Sequence, residues 1–337
     1  MKLAIDARLL TAKPSGVRDI AVGIVNGFQQ LVVDGELELQ LFGVEEANQV
    51  ETLPARFFMH RELPKAARAR GADAIFVPRQ TAPFFSSVRS VPLFHDIGFL
   101  RSPDVYESNF VRDVTTKWAA RKSAVLTVSD FTKTELDAEG LSNHATALPI
   151  QAIHRMDWVP SPTSNYVLCV AVQEPHKNLV RLVKAWAKAE TGEATLVICG
   201  REGADTDNLR RAISESECAP SIRVVSGLSD IEYSNLISGC SAYIQPSLYE
   251  GLCIPALDLA AAGAPIGVAN LGNLGRVFSG GVGALVFDPL SEESIAEALG
   301  TLVNDSDARV NLSSRAKRTV KLTDWKAVAR TAVEAMA

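Results

Sequence analysis

Short apolar runs recur along this chain with room for a helix after most of them, and the series occurs twice. The first comprises residues 2–6, 37–42, 74–77, 91–94 and 125–128; the second comprises 166–170, 195–199, 222–225, 242–245, 265–268 and 284–287. Strands spaced so far apart cannot be closed by hairpin turns. They must run parallel, with the intervening helices covering the faces of a sheet. Between the two series, Pro160-Ser161-Pro162-Thr163-Ser164 is too dense in proline and serine for either element and reads as a linker. The expectation is an α/β chain of two doubly wound units, divided as 1–160 and 161–320, with a last helical segment at 321–337.

The length of 337 residues exceeds one ordinary core, and a hydrophobic content of 47% suffices for two. A net charge of −5 argues against nucleic acid as a partner, because such a surface would be basic. Five cysteines with no Cys-x-x-Cys pair point to a reducing cytoplasm, away from a disulfide framework or structural zinc. Lys2 and Asp6 interrupt the start where a signal peptide needs an apolar run. Asp258, Gly263 and Pro265 break the longest apolar stretch, 256–271, into helix, turn and strand. Arg61, Lys65, Arg68 and Arg70 cluster on one short segment that would suit anionic headgroups in a peripheral contact at the inner membrane face. An ordinary solvated helix face is the more economical reading.

The strand-like Ala242-Tyr243-Ile244-Gln245 is broken by Glu250-Gly251, and Pro255 suits the first turn of the helix that follows. Glu250 therefore falls in a loop, and Asp258 in a helix whose N-terminal amides face that loop. Such amides stabilise phosphate, while carboxylates at the same mouth suit sugar or ribose hydroxyls. Taken alone, two acids near a helix start are more simply caps or solvated groups.

Pro246-Ser247, Glu250-Gly251, Pro255 and Gly263-Ala264-Pro265 together resemble the donor-site motif of family four of the retaining glycosyltransferases, which have the GT-B fold. The resemblance continues through the segments that begin with His95-Asp96 and end at Pro103, through Thr127 to Lys133, through Glu174-Pro175-His176-Lys177-Asn178, and through Gly281 to Pro289. These motifs keep the family's order and spacing over most of the chain. They imply two facing Rossmann-like domains with the site in the cleft between them. The second domain would hold a nucleotide-diphosphate sugar and the first would shape the side for a glycan or lipid-linked saccharide acceptor, with the last helix returning to the first domain. Bacterial surface polysaccharide synthesis is the setting the resemblance suggests. The implied chemistry needs no covalent nucleophile: the acceptor hydroxyl attacks on the leaving group's face, and the departing phosphate oxygen takes its proton.

Breaking the bond between sugar and nucleotide builds negative charge on the departing diphosphate, and a fixed cation is the direct way to stabilise it. On the resemblance, Lys177 is that cation. An arginine often precedes it in relatives, whereas this chain has His176, and Arg201 is the candidate for the missing charge. Gly16 would let the backbone approach the phosphates, although only Gly16 and Arg18 remain of a Gly-x-Gly-Arg pattern. His95 is placed beside the reacting sugar, with Asp96 orienting the loop or the ring. Glu250 is assigned to the sugar's hydroxyls, with Gly251, Leu252, Cys253 and Ile254 forming the donor loop. Asp258, where relatives carry glutamate, is assigned to the ribose, and Gly227 and Leu228 to the base. The catalytic set is thus His95, Lys177 and Glu250. Cys253 stands where relatives have glycine. A side chain facing the donor, its thiol pKa lowered by helix amides, is weighed equally against a small apolar side chain turned inward.

Asp205-Thr206-Asp207 and Asp305-Ser306-Asp307 look like metal-binding triplets, but both lie in polar loop or helix-start sequence, where carboxylates cap or are solvated. No metal and no other cofactor is expected. A dinucleotide-dependent oxidoreductase is disfavoured because a single glycine follows the first strand, with no Gly-x-Gly-x-x-Gly. A non-catalytic nucleotide-sugar-binding protein stays open, since Val172, His176, Cys253 and Arg276 replace common family residues.

Overall fold

The computed structural model describes residues 1–43, 57–102, 105–106, 109–160 and 164–337. Pro103 of the His95 motif and Ser161, Pro162 and Thr163 of the expected linker lie outside the described residues. The chain divides into two compact units, one of Met1–Pro103, Glu107–Ile153 and Thr323–Ala337, the other of Asp104–Tyr106 and His154–Leu322. The expected division had been drawn at 160 and 320.

In the first unit, β1 (Lys2–Asp6), β2 (Glu38–Phe42), β3 (Ala74–Val77), β4 (Arg89–Phe94), β5 (Val125–Thr127) and β6 (Ala145–Ala147) form one parallel sheet in the order β2-β1-β3-β4-β5-β6. The strand β6 was not foreseen. Three residues at a sheet edge are too few for a period-two pattern to register. The first unit's described α-helices before the second unit are α1 (Gly16–Val33), α2 (Leu63–Ala69), α3 (Gly98–Arg101), α4 (Phe110–Ala120) and α5 (Asp130–Ala138). On α1, Ile20, Ile24, Phe28 and Leu31 recur at helical spacing and are buried. Phe28 meets Phe76 of β3 edge-on, with centroids 5.5 Å apart.

In the second unit, β7 (Tyr166–Val170), β8 (Thr195–Cys199), β9 (Ile222–Val225), β10 (Ala242–Gln245), β11 (Ile266–Ala269) and β12 (Leu285–Phe287) form a parallel sheet ordered β12-β11-β10-β7-β8-β9. It carries α6 (Leu179–Lys188), α7 (Thr206–Ser214), α8 (Asp230–Ser238), α9 (Ile254–Ala262), α10 (Gly272–Val277), α11 (Glu292–Asn304) and α12 (Ser306–Thr319). Leu179, Leu182, Val183 and Trp186 make the buried stripe of α6. The Trp186 indole N–H donates to Ser221 Oγ at 2.9 Å, so burying this ring leaves no orphaned donor. The order of strands matters for function. From β7 the chain steps outward through β8 and β9, then β10 returns to pair with β7 on its other side. The winding reverses between β7 and β10.

The last helix, α13 (Trp325–Met336), belongs to the first unit and packs on α1. Glycines make the approach: a Cβ on Gly23 would stand 2.2 Å from the Trp325 ring, and one on Gly27 would stand 2.0 Å from the Trp325 carbonyl oxygen. Arg330 to Glu36 at 2.8 Å closes the rim of this contact.

Candidate functional site

Parallel sheets bind ligands beyond the carboxyl ends of their strands, at the place where the winding reverses. In the second unit two connections leave the sheet there. After β7 the chain makes a single 3₁₀ turn, Pro175–Lys177, and Asn178 starts α6 in the left-handed region at φ 60°. After β10 it runs through Pro246 to Leu252, and Cys253 starts α9, also left-handed at φ 64°. These two are the only non-glycine residues with positive φ among the described residues. Backbone held there costs free energy and persists only where its surroundings fix it. They do: Asn178 Nδ2 donates to the carbonyls of Pro246 at 3.0 Å and Pro289 at 2.8 Å, and the Leu248 amide donates to His176 O at 2.8 Å.

Across this junction Lys177 Nζ donates to Glu250 Oε1 at 2.8 Å. The same oxygen accepts from Ser247 Oγ at 2.7 Å and from Gln245 Nε2 at 3.3 Å, while the buried Tyr243 hydroxyl donates to Gln245. Behind the loop, the Asn273 amide donates to Glu250 O at 3.0 Å. A Cβ on Gly272 would stand 2.9 Å from the Glu250 nitrogen, so this close approach requires glycine. Glu250 is therefore fixed by side chains from β10, its own loop and the β7 connection. Its partners Gln245 and Ser247, and Asn178, which ties the two connections together, were not singled out from the sequence, though Ser247 and Asn178 stood inside the quoted motifs.

His176 is stacked on Tyr106 with centroids 4.5 Å apart, and its Nδ1 is buried with no hydrogen-bond partner. Burial, assisted by the neighbouring Lys177 charge, lowers its pKa to about 4, so it is neutral near pH 7 and does not replace a permanent cation. Nothing in the sequence pointed to Tyr106. The Cys253 thiol, left open between a donor-facing side chain with a lowered pKa and a small apolar one turned inward, does not have the lowered pKa. Burial outweighs the helix amides and, together with the Glu250 carboxylate, pushes its pKa well up.

The other assigned residues fall along the same sheet edge or away from it. Arg201 is exposed just beyond β8, and its carbonyl accepts from the Gln173 amide at 3.1 Å. A Cβ on Gly200 would stand 1.9 Å from Ala171 O, so the ends of β7 and β8 lie tightly together. Gly227 is exposed at φ 69° after β9, followed by the half-buried Leu228. Gly251 and Leu252 are buried, and Ile254 is half-buried at the start of α9. Asp258 is 1% exposed: it accepts from His154 Nδ1 at 2.7 Å and from the His154 amide at 3.1 Å. His154 was not foreseen, since nothing near it in sequence ties it to Asp258.

In the first unit, Gly16 is exposed as the first residue of α1, capped by Ser15. His95 follows β4 and is 8% exposed; its Nε2 lies 3.1 Å from Pro78 O, and burial lowers its pKa to about 4. A neutral ring with Nε2–H donating to that carbonyl fits both facts. Asp96 accepts from the Gly98 amide at 3.1 Å and so orients the loop. Asp305 caps α12 through the Ala308 amide at 2.8 Å, and Asp205 accepts from Asn208 at 2.8 Å. No group of three or more potential metal ligands occurs among the described residues.

Residues 151–319, about half of the chain, match the family Glycosyl transferases group 1, and the chain belongs to that family. O-antigen chain mannosyltransferase B of Escherichia coli is 24% identical over 262 residues, covering 70% of this chain and 67% of that protein. O-antigen chain mannosyltransferase RfbU of Salmonella typhimurium is 25% identical over 224 residues, covering 64% of this chain and 61% of its own length, under two thirds. Among solved structures, Anabaena HepE in complex with UDP-glucose matches with a TM-score of 0.73 at 16% identity, covering 99% of this chain and 98% of that one. The fold is GT-B, with two parallel six-stranded sheets.

Proposed function

We propose that this glycosyltransferase moves a hexose, mannose in the first instance, from a nucleoside-diphosphate donor to a glycan or lipid-linked saccharide, with retention at the anomeric carbon. The observation that carries the reading is the Lys177–Glu250 pair at the reversal point of the second sheet, flanked by the N-termini of α6 and α9. Lys177 supplies the cation for the departing diphosphate, and the two helix ends add aligned amides. Glu250 takes the sugar's hydroxyls; Arg201, Gly227 and Leu228 serve the rest of the nucleotide. Asp258 acts through His154, whose exposed ring it orients. His95, neutral, offers a hydrogen bond and no charge. The names of both relatives favour mannose and polysaccharide synthesis, and the HepE complex favours a sugar nucleotide. Transfer is assigned no metal because Lys177 and the amides already supply positive charge where the negative charge grows, and the reaction is placed in the cytoplasm.

The test offers mannose and glucose on GDP, UDP, dTDP and ADP carriers to the purified protein with glycan acceptors, with and without excess chelator. The anomeric configuration of the product is read by NMR. Transfer with retention in chelator is expected. Inversion, or activity that only added magnesium or manganese restores, would overturn the corresponding part of the reading.

A further inference from the structure

The helix α4 is built inside out. Its buried face consists of Thr116, Ala119 and Ala120, while Phe110, Val111, Val114 and Trp118 are 81%, 69%, 43% and 37% exposed. Phe110, Val114 and Trp118 stand at i, i+4 and i+8 with Val111 beside them, so they form one stripe. The stripe does not end with the helix. The Trp118 indole N–H and Lys122 Nζ donate to the Pro83 carbonyl at 3.3 and 2.9 Å, and Phe84 packs on Trp118 with centroids 5.7 Å apart. This anchors the loop that carries Phe85, which is 84% exposed. Between that loop and α2 lies a groove of about 910 Å³, with Phe84 and Phe85 on one side and Pro64, Lys65, Arg68 and Ala69 on the other.

Apolar side chains of this size on the outside of a monomer mark a contact surface. The charges around them indicate its partner. Lys65 and Arg68 are exposed at the groove, and Lys117 and Arg121 are exposed beside the stripe, in a chain whose net charge is −5. Two nearby acids among the described residues are engaged: Asp113 with Arg112 at 3.4 Å and Glu62 with Arg61 at 3.9 Å. Of the four basic residues grouped by sequence, Arg70 lies over the Phe42 ring at 5.0 Å and Arg61 faces Glu62, so only Lys65 and Arg68 are available at the groove. We propose that the α4 stripe and the Phe85 loop form an interfacial docking surface for an anionic phospholipid bilayer. The aromatic side chains enter the headgroup–acyl boundary while the flanking cations meet lipid phosphates.

The test is co-sedimentation of the full chain with vesicles of phosphatidylcholine alone and of phosphatidylcholine mixed equally with phosphatidylglycerol, without sugar nucleotide or acceptor. Its failure therefore leaves the transfer reading standing, and failed transfer leaves this one. Binding to the mixed vesicles is expected to exceed that to the neutral ones by about tenfold or more, and to weaken with salt. Phe85→Ser with Phe110→Ser should lower partition onto both compositions by roughly tenfold, since each ring withdraws apolar area from water. Lys65→Glu with Arg68→Glu should remove only the anionic preference, at about fivefold per cation. All four positions are exposed, and unchanged thermal unfolding confirms that the variants fold. Absence of binding to anionic vesicles, or binding indifferent to the phenylalanine pair, overturns the proposal. So does a concentration-dependent dimer without vesicle binding that the phenylalanine pair abolishes, which would give the surface to a second copy of the chain.

Discussion

Lys177 Nζ stands 2.8 Å from Glu250 Oε1, and the two side chains are only 16% and 12% exposed. The cation assigned to the departing diphosphate and the carboxylate assigned to the sugar hold each other. A donor that uses both must exchange this contact for two of its own. The site is thus poised, and its two members should separate cleanly on mutation.

Lys177→Ala should lower the single-turnover rate at saturating donor by roughly 10² to 10³, the cost of removing one donor from a site where charge develops. Unchanged transfer with the fold intact would remove Lys177 from the chemistry.

Glu250→Gln should impair transfer while leaving affinity for the free nucleoside diphosphate equal or tighter, because Lys177 loses the carboxylate that competes with phosphate for its charge. Calorimetry with the diphosphate and with the intact donor distinguishes the two contacts. A loss of diphosphate affinity as large as the loss for donor would show that Glu250 does not act on the sugar.

Much of this was legible in advance, and the reason is local. Most of the foreseen strands carry apolar residues in a short run or in alternation, and the Lys177 and Glu250 segments have proline and glycine at fixed offsets that force turns after strands. The partners that hold the site were less legible because they come from far along the chain. His154 is 104 positions from Asp258, and Tyr106 reaches His176 from a different segment. The Cys253 thiol stays open between two readings in the sequence for a related reason: a helix N-terminus can be seen there, whereas the burial that outweighs its effect on the thiol cannot. The exposed stripe of α4 was hidden too, because periodicity shows that a helix has an apolar side but not which way that side faces.

Stability should depend on two histidines. His95 and His176 both have folded pKa values of about 4, below the ordinary 6.5, chiefly through burial. Between those values the unfolded chain binds protons that the folded chain does not. Their contribution is therefore whole above pH 6.5, is lost progressively as pH falls towards 4, and levels out below it. For His95, the more buried of the two, the loss from neutral pH to pH 5 should be about 2 kcal/mol. His176 is more exposed and should contribute less. Denaturant unfolding at pH 7 and pH 5 reads the sum, and His95→Gln, which keeps a donor for Pro78 O, should flatten the dependence. A wild-type protein equally stable at both values would contradict the assignment.

Cys253 occupies a left-handed position that suits glycine, at φ 64°, yet it carries a side chain. Two truncations separate the backbone from the thiol. Cys253→Ala and Cys253→Gly both remove Sγ, but only glycine relieves the left-handed strain, which is worth roughly 1–2 kcal/mol for a residue with a Cβ. Glycine also gains unfolded-state entropy, at a cost of about 0.4–1 kcal/mol, so it should still be the more stable of the two by a few tenths to about 1 kcal/mol. Denaturant midpoints decide, and alanine proving the more stable would show that the turn relaxes around this residue. The thiol gives an independent check. With its pKa pushed well up by burial and by Glu250, it should alkylate slowly in the folded protein near pH 7 and much faster on unfolding. Rapid labelling of Cys253 in the native state, followed by mass spectrometry, would place the sulfur in contact with solvent and return it to the donor-facing side of the loop.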